Sequence, residues 1–235
     1  MGKRGPQPKK IIDTKWRPNL AYAVGLIATD GYLSNGGLLI DLTSKDREQL
    51  LNFSKCLYVN FTIGNKWNSK GDGCLRIQFK NRIFYDFLLS IGLTPKKSLT
   101  IGRLAIPDKY FFDFLRGSFD GDGSFYSYWD PRWRSSYMFY LTFNSASSKH
   151  IFWLREEIFN KLRIKGHISK SKTKGSIYGL RYAKREALEI IKKMYYNQKV
   201  VCLSRKKLKI QKVLQIEKKQ QKNYAQVAEL VYAYD

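Results

Sequence analysis

The stretch Phe114-Leu115-Arg116-Gly117-Ser118-Phe119-Asp120-Gly121-Asp122-Gly123-Ser124-Phe125 runs an apolar, small-residue segment into two carboxylates set among glycines, then into an aromatic run. A looser copy lies upstream, Tyr22-Ala23-Val24-Gly25-Leu26-Ile27-Ala28-Thr29-Asp30-Gly31-Tyr32. Gly25 and Gly117, Asp30 and Asp122, and Gly31 and Gly123 are each 92 residues apart. Ala21, Gly25 and Ala28 form a small-residue stripe on one helix face, and Gly117 with Gly121 repeats it. Glycine inside a helix costs about 1 kcal/mol against alanine, so it needs a packing reason. Close approach of the two motif helices supplies one, and it sets Asp30 and Asp122 side by side at the helix ends. Pro18 suits a first helical turn. The helices are therefore predicted over Asn19–Thr29 and, roughly, Lys109–Gly121.

Each motif is followed by the same order of elements. After Tyr32 the period falls to two, with Leu38, Ile40 and Leu42 alternating with Leu39, Asp41 and Thr43. That is a strand with one apolar face, entered through the tight turn Asn35-Gly36-Gly37. Asp46-Arg47-Glu48-Gln49 has capping-box spacing and opens an amphipathic helix through Leu57. A hairpin of Thr62–Trp67 with Cys74–Phe79 and a helix over Asn81–Ser90 complete the first copy. In the second, Ser124–Trp129 pairs with Tyr137–Asn144, and Ser147 or Ser148 caps a helix through Leu162. Gly166–Ser171 then pairs with Ser176–Tyr182, and Arg185–Met194 is helical. Leu203–Gln221 follows as a very basic helix.

The expected fold is α+β: two pseudo-symmetric αββαββα repeats packed through the motif helices, with antiparallel sheets. The divisions are a flexible basic arm (1–12), a first repeat (13–93), a connector (94–108) limited by Pro95 and Pro107, a second repeat (109–222) and a flexible tail (223–235).

Charge and composition restrict the partner. Lysine and arginine total 43 against 19 acids in 235 residues, a net charge of +24. Self-repulsion of that size works against compactness, and nucleic acid is the usual anion that offsets it. Hydrophobic residues at 43% exclude a disordered chain. Cys56, Cys74 and Cys202 fit neither a disulfide framework nor a zinc ribbon, and His150 and His167 make no histidine-metal site. With no apolar run near the ~18 residues of a membrane span and no signal-peptide core, the chain is expected to be soluble, intracellular and clear of membranes, in cytoplasm, nucleoid or organelle matrix.

The two motifs resemble the paired signature of the LAGLIDADG homing endonuclease family. Ala23-Val24-Gly25-Leu26-Ile27-Ala28-Thr29-Asp30-Gly31 is the looser match and Leu115-Arg116-Gly117-Ser118-Phe119-Asp120-Gly121-Asp122-Gly123 the closer. The resemblance covers roughly residues 13–222, and two motifs each followed by ββαββα are far more specific than one. A single Asp-Gly merely stops a helix; two in register at a helix pair make a composite site. Hydrolysis of a phosphodiester needs a polarised phosphoryl oxygen, an activated water and a stabilised leaving oxygen, which divalent metal between carboxylates supplies. Asp30 and Asp122 suit Mg²⁺, or Mn²⁺ or Ca²⁺ in its place.

The resemblance further implies that the backbone carbonyls of Thr29 and Gly121 complete the metal shell. It also implies a lysine near each scissile phosphate, where Lys97 and Lys206 match best and Lys96 or Arg205 are the alternatives. The motif departs from the longer pattern at Ala28, where the second copy has Asp120, a position that is not the family's metal ligand.

By the same resemblance the sheets form a saddle over double-stranded DNA, whose major groove admits a two-stranded ribbon. Ser34, Asp41, Thr43, Lys66, Lys70, Arg76 and Gln78 are the expected contacts in the first half. In the second they are Tyr126, Tyr128, Arg132, Arg134, Tyr140, Thr142, Asn144, Lys170, Lys172, Lys174 and Arg181, with Leu141 and Phe143 turned to the helices. Halves so different in sequence predict an asymmetric target and a monomer. The expected activity is site-specific, metal-dependent double-strand cleavage, as in intron homing. An RNA-splicing maturase or a non-catalytic DNA-binding regulator on the same scaffold are the alternatives, and retention of both acids argues against the regulator.

Overall fold

The computed structural model describes residues 11–67, 71, 73–133, 136–171 and 177–232, with 221–232 as backbone alone. Residues 1–10 of the expected basic arm (1–12) and the expected contacts Lys70, Arg134, Lys172 and Lys174 lie outside the described residues, while Ile12, at the end of that arm, is buried in the core.

Helix α1, Pro18–Asp30, begins with proline in its first turn and is buried continuously from Leu20 to Ala28. A helix apolar on every side belongs inside a core rather than on a surface. Gly31 passes directly into β1 (Gly31–Leu33), which pairs with β2 (Leu39–Ser44). Leu38 adopts φ 56° and falls in the turn, so the strand starts one residue later than the alternation predicts. Helix α2 (Arg47–Leu57), β3 (Ile63–Trp67), β4 (Gly73–Lys80) and α3 (Arg82–Ser90) complete the first half. The sheet order is β1-β2-β4-β3, antiparallel throughout. Its helix-facing side is closed by rings: Phe61 and Phe79 lie 4.4 Å apart, with Phe53 and Phe84 beside them.

The connector is not wholly irregular. It carries a short helix, α4 (Lys97–Thr100), which Lys96 enters with φ 58°. After a 3-10 turn at Asp108–Tyr110 comes α5, Phe111–Asp122, and the pattern repeats through β5 (Ser124–Trp129), β6 (Tyr137–Ser145), α6 (Ser148–Leu162), β7 (His167–Lys170), β8 (Tyr178–Ala183) and α7 (Lys184–Met194). This sheet runs β5-β6-β8-β7, the same order as the first. Leu141 and Phe143 are buried on its helix side.

The two halves join where α1 meets α5. A Cβ on Gly25 would stand 2.7 Å from the Ser118 amide nitrogen and 2.9 Å from the Gly117 Cα, and one on Gly117 would overlap the Tyr22 carbonyl. The backbones touch, which is the packing reason the glycine stripe requires.

Two local expectations are corrected. Ser147 is the N-cap residue of α6, but its hydroxyl donates to the Ile101 carbonyl (2.5 Å) and makes no side-chain cap. The basic helix α8 runs Ser204–Tyr232, past its expected end at Gln221. Ala225, Gln226, Ala228, Glu229 and Leu230 are good helix formers, and no glycine or proline interrupts them. Among the described residues no helix is long and apolar enough to cross a membrane.

Candidate active site

Asp30 and Asp122 are the last residues of α1 and α5. A Cβ on Gly121 would stand 2.9 Å from the Asp30 carboxylate and overlap the Thr29 hydroxyl, so glycine is what allows the two helix ends to meet here. Burial pushes the Asp30 carboxyl up to about 6; a Gln49 hydrogen bond opposes this, and the Asp122 charge adds to it. Burial also raises Asp122, against the pull of Lys97 and Lys206.

Gln49 is a site residue that the sequence did not reveal. Its Nε2 donates to Asp30 Oδ2 (2.5 Å), and the Ser44 hydroxyl donates to its Oε1 (3.2 Å). The motif Asp46-x-x-Gln49 imitates a capping box. Asp46 does cap, accepting from the Glu48 amide (3.1 Å), whereas Gln49 turns inward to the carboxylate. Asn144 supports the other acid by donating to the Asp122 carbonyl (2.9 Å).

The two lysines reach the same place from opposite sides. Lys97, only 5% exposed, donates to the Thr29 carbonyl (3.1 Å). Lys206 donates to the carbonyls of Asp120 (2.9 Å), Gly121 (3.3 Å) and Gly123 (2.7 Å). Burial pulls each ammonium down to about 8, and carboxylates of the site hold it up against that pull. Of their neighbours, Lys96 is exposed at the start of α4, and Arg205 pairs with Asp46 at 2.7 Å on the rim of the cavity that Asp30, Gln49 and Gly121 line.

Each lysine is carried on a segment gripped by the opposite half. The residues after Lys97 are held from α6, through Ser147 to the Ile101 carbonyl and through His150 Nδ1 to the Gly102 carbonyl (2.9 Å). Burial lowers His150 to about 4, so it is neutral and Nδ1–H is the donor. The residues around Lys206 are held from α2. Glu48 accepts from the Ser204 amide (3.1 Å) and hydroxyl (2.5 Å), and Asn52 donates to the Cys202 carbonyl (2.9 Å). Neither half completes its site alone.

No protein-family model matches the sequence, and no curated protein is similar to it by sequence. Solved structures share its architecture. The meganuclease I-AabMI bound to uncleaved DNA superposes with a TM-score of 0.60 at 13% identity, over 88% of this chain and 92% of that one. I-LtrWI bound to target DNA gives 0.56 at 12%, over 85% and 89%. Full-length DUF199/WhiA from Thermatoga maritima gives 0.54 at 13%, over 94% and 70%. This chain has the LAGLIDADG fold.

Within the LAGLIDADG fold the two sheets of this chain present different chemistry. On the second, the rings of Tyr126, Tyr128 and Tyr140 stack at 5.0 to 6.4 Å, and the Arg181 guanidinium lies 5.8 and 5.6 Å from the Tyr126 and Tyr140 centroids. Thr142, opposite Arg181 in register, is 7% exposed beneath them. Lys170 lies over Tyr178 (5.6 Å), and Arg132 is held by Asp130 through two hydrogen bonds of 3.2 and 3.0 Å. On the first sheet Asp41 is buried and paired with Lys66 (3.2 Å) and Arg76 (3.9 Å). Gln78 faces Asp41 in register and Thr43 faces Arg76. Ser34 is engaged in its hairpin, accepting from the Leu39 amide (2.9 Å).

The LAGLIDADG motif ends offer oxygen donors only. Among the described residues no group of three or more His, Cys, Asp and Glu converges, so two carboxylates and main-chain carbonyls are the donor set. That set suits a hard divalent cation, which is content with one or two protein carboxylates and keeps its waters. Asp30 is half-buried and Asp122 reaches the surface, and a cation between them would offset the desolvation that raises both carboxyls.

Proposed function

We propose that this chain is a site-specific DNA endonuclease. It uses Mg²⁺, or Mn²⁺ or Ca²⁺ in its place, to cut both strands of a long asymmetric double-stranded target as a monomer, one strand per half. The observation that carries the reading is the meeting of Asp30 and Asp122 on touching helix ends, with a lysine from each half closing over them. The similar meganuclease structures bound to DNA support the partner.

Asp30 and Asp122, with the Thr29 and Gly121 carbonyls, would hold the cation. When bound, it supplies Lewis-acid polarisation of the phosphoryl oxygen and a water of lowered pKa. Gln49 fixes one Asp30 oxygen and thereby aims the other. Asn144 fixes the Asp122 main chain. Lys97 and Lys206 keep positive charge where negative charge develops on the transferred phosphoryl group, a stabilisation that is strong in a water-poor site. The Tyr126, Tyr128, Tyr140 and Arg181 surface, and the Lys66, Arg76 and Gln78 surface, face the grooves.

The test is a randomised duplex library incubated with Mg²⁺ or with chelator, followed by sequencing of the cut ends. The expected result is one long, non-palindromic consensus, cut on both strands only with metal. Specific binding without any metal-dependent cut would replace this reading with that of a DNA-binding regulator.

A further inference from the structure

Arg116 and Asp120 lie one turn apart on α5, are 1% and 0% exposed, and sit on neither the metal site nor the DNA face. Buried charged groups are costly unless their polar atoms are used, and three of the five hydrogen bonds these two side chains make among the described residues go to one segment. Arg116 donates to the carbonyls of Met194 (2.6 Å) and Val201 (2.9 Å) and to Asp113 (2.7 Å). Asp120 Oδ2 accepts from the Leu203 amide (2.8 Å) and from the Tyr22 hydroxyl (2.8 Å). Together they read the backbone of 194–203, the strap between α7 and α8. One residue later α8 begins, with Lys206 in its first turn.

The strap is thus tied twice to the same turn of α5: the Asp120 side chain takes the Leu203 amide, and the Asp120 carbonyl takes the Lys206 ammonium (2.9 Å). The positions 92 residues earlier on α1 are Val24 and Ala28, which carry no polar side-chain atom. Lys97 therefore reaches its carbonyl without such a pair beneath it. The grip belongs to one half only.

We propose that Arg116 and Asp120 are positioning residues for Lys206, clamping the 194–203 strap to α5 so that cleavage of one DNA strand depends on them and cleavage of the other does not. The strand-specific part rests on the nuclease reading above; the clamp itself does not.

Asp120→Ala is the test, because the first motif already carries alanine at this position. Asp120→Asn keeps an acceptor for Leu203, and Tyr22→Phe removes the other donor to Asp120 while sparing Leu203. Hydrogen exchange by mass spectrometry reads the clamp. Exchange over 201–206 should rise about tenfold or more in Asp120→Ala, with 97–101 within about twofold of wild type, since local opening leaves other segments protected. Strand-resolved cleavage reads the consequence. One strand, the same one that Lys206→Met slows, should be cut about tenfold more slowly, as expected for loss of one buried hydrogen bond, and the other should not. Asp120→Asn and Tyr22→Phe should keep the wild-type strand ratio. Unchanged exchange over 201–206, or an equal rise everywhere, overturns the clamp even if the wild-type protein proves to cut no DNA. Faster exchange with both strands slowed equally overturns its role in positioning. A wild-type protein that binds its site but never cuts fails the nuclease reading instead, and the exchange result still stands on its own.

Discussion

Burial pushes the Asp30 carboxyl up to about 6, above its ordinary 3.8, while Gln49 and two ammonium groups pull the other way. The sign of the resulting pH dependence follows. Between roughly pH 4 and 6 the metal-free native protein binds more protons than the unfolded chain, so stability falls as pH rises through that window. Asp30→Asn removes this term. In chelator, urea unfolding should show wild type losing about 1–3 kcal/mol relative to the variant between pH 4 and 7; parallel curves would contradict the burial argument. The same substitution, or Asp122→Asn, should slow double-strand cleavage at least about a hundredfold and leave DNA affinity within about threefold, since neither acid contributes positive charge. Equal loss of binding and cutting, measured on one duplex, would remove them from a purely catalytic role. The two acids were legible because a motif doubled at fixed spacing is hard to produce by chance, whereas the two lysines, 109 rather than 92 residues apart, were expected only from the family resemblance. Gln49 was not, because a glutamine three residues after Asp46 reads equally well as half of a capping box. Only the path of α2 past the end of α1 decides between the two.

The α1–α5 contact depends on Gly25 and Gly117 more than on any apolar side chain. A Cβ at either position meets opposing backbone, which cannot rotate away. Gly117→Ala should cost about 2–4 kcal/mol in denaturant unfolding, whereas Gly64→Ala, with nothing within 4 Å, should stay within about 0.5 kcal/mol. Similar losses at both sites would mean that the helix pair tolerates separation. The glycine periodicity announced this contact, and the alternation of Ile40, Asp41 and Leu42 announced β2, because both patterns are dictated by element geometry alone. What stayed hidden was cross-docking between the halves. Ser147 looked like a cap and instead bonds Ile101, and Glu48 and Asn52 hold a segment some 150 residues away. Local sequence cannot specify which distant backbone a short polar side chain will find. The continuation of α8 past Gln221 was missed for a different reason: the change of composition there masked an unbroken run of helix formers.

Taken whole, the molecule is a two-fold frame carrying unlike surfaces. An acid shielded by Lys66 and Arg76 marks one sheet, and a tyrosine stack under Arg181 marks the other. Stacked rings favour apolar base edges such as thymine methyl groups, and a free glutamine favours adenine. Tyr140→Ala should therefore relax base preference in one half-site of the selected consensus and leave the other intact; relaxation in both would deny the halves independent readout. The net charge of +24 makes the final argument. If it serves to hold DNA, each phosphate contact releases counterions, and affinity falls with salt at a slope of about −0.9 per contact. A saddle making about 6–10 such contacts should lose roughly 10³–10⁵ in affinity between 50 and 200 mM salt. Lys170, exposed on β7, is the cleanest single probe. Lys170→Ala should reduce the slope by about 1 and weaken binding uniformly across sequences. Fluorescence anisotropy over that salt range, on the selected site and on a scrambled duplex, gives both numbers. A flat salt dependence would assign the excess charge to something other than the DNA saddle, and a loss confined to the selected site would make Lys170 a base reader rather than a phosphate contact.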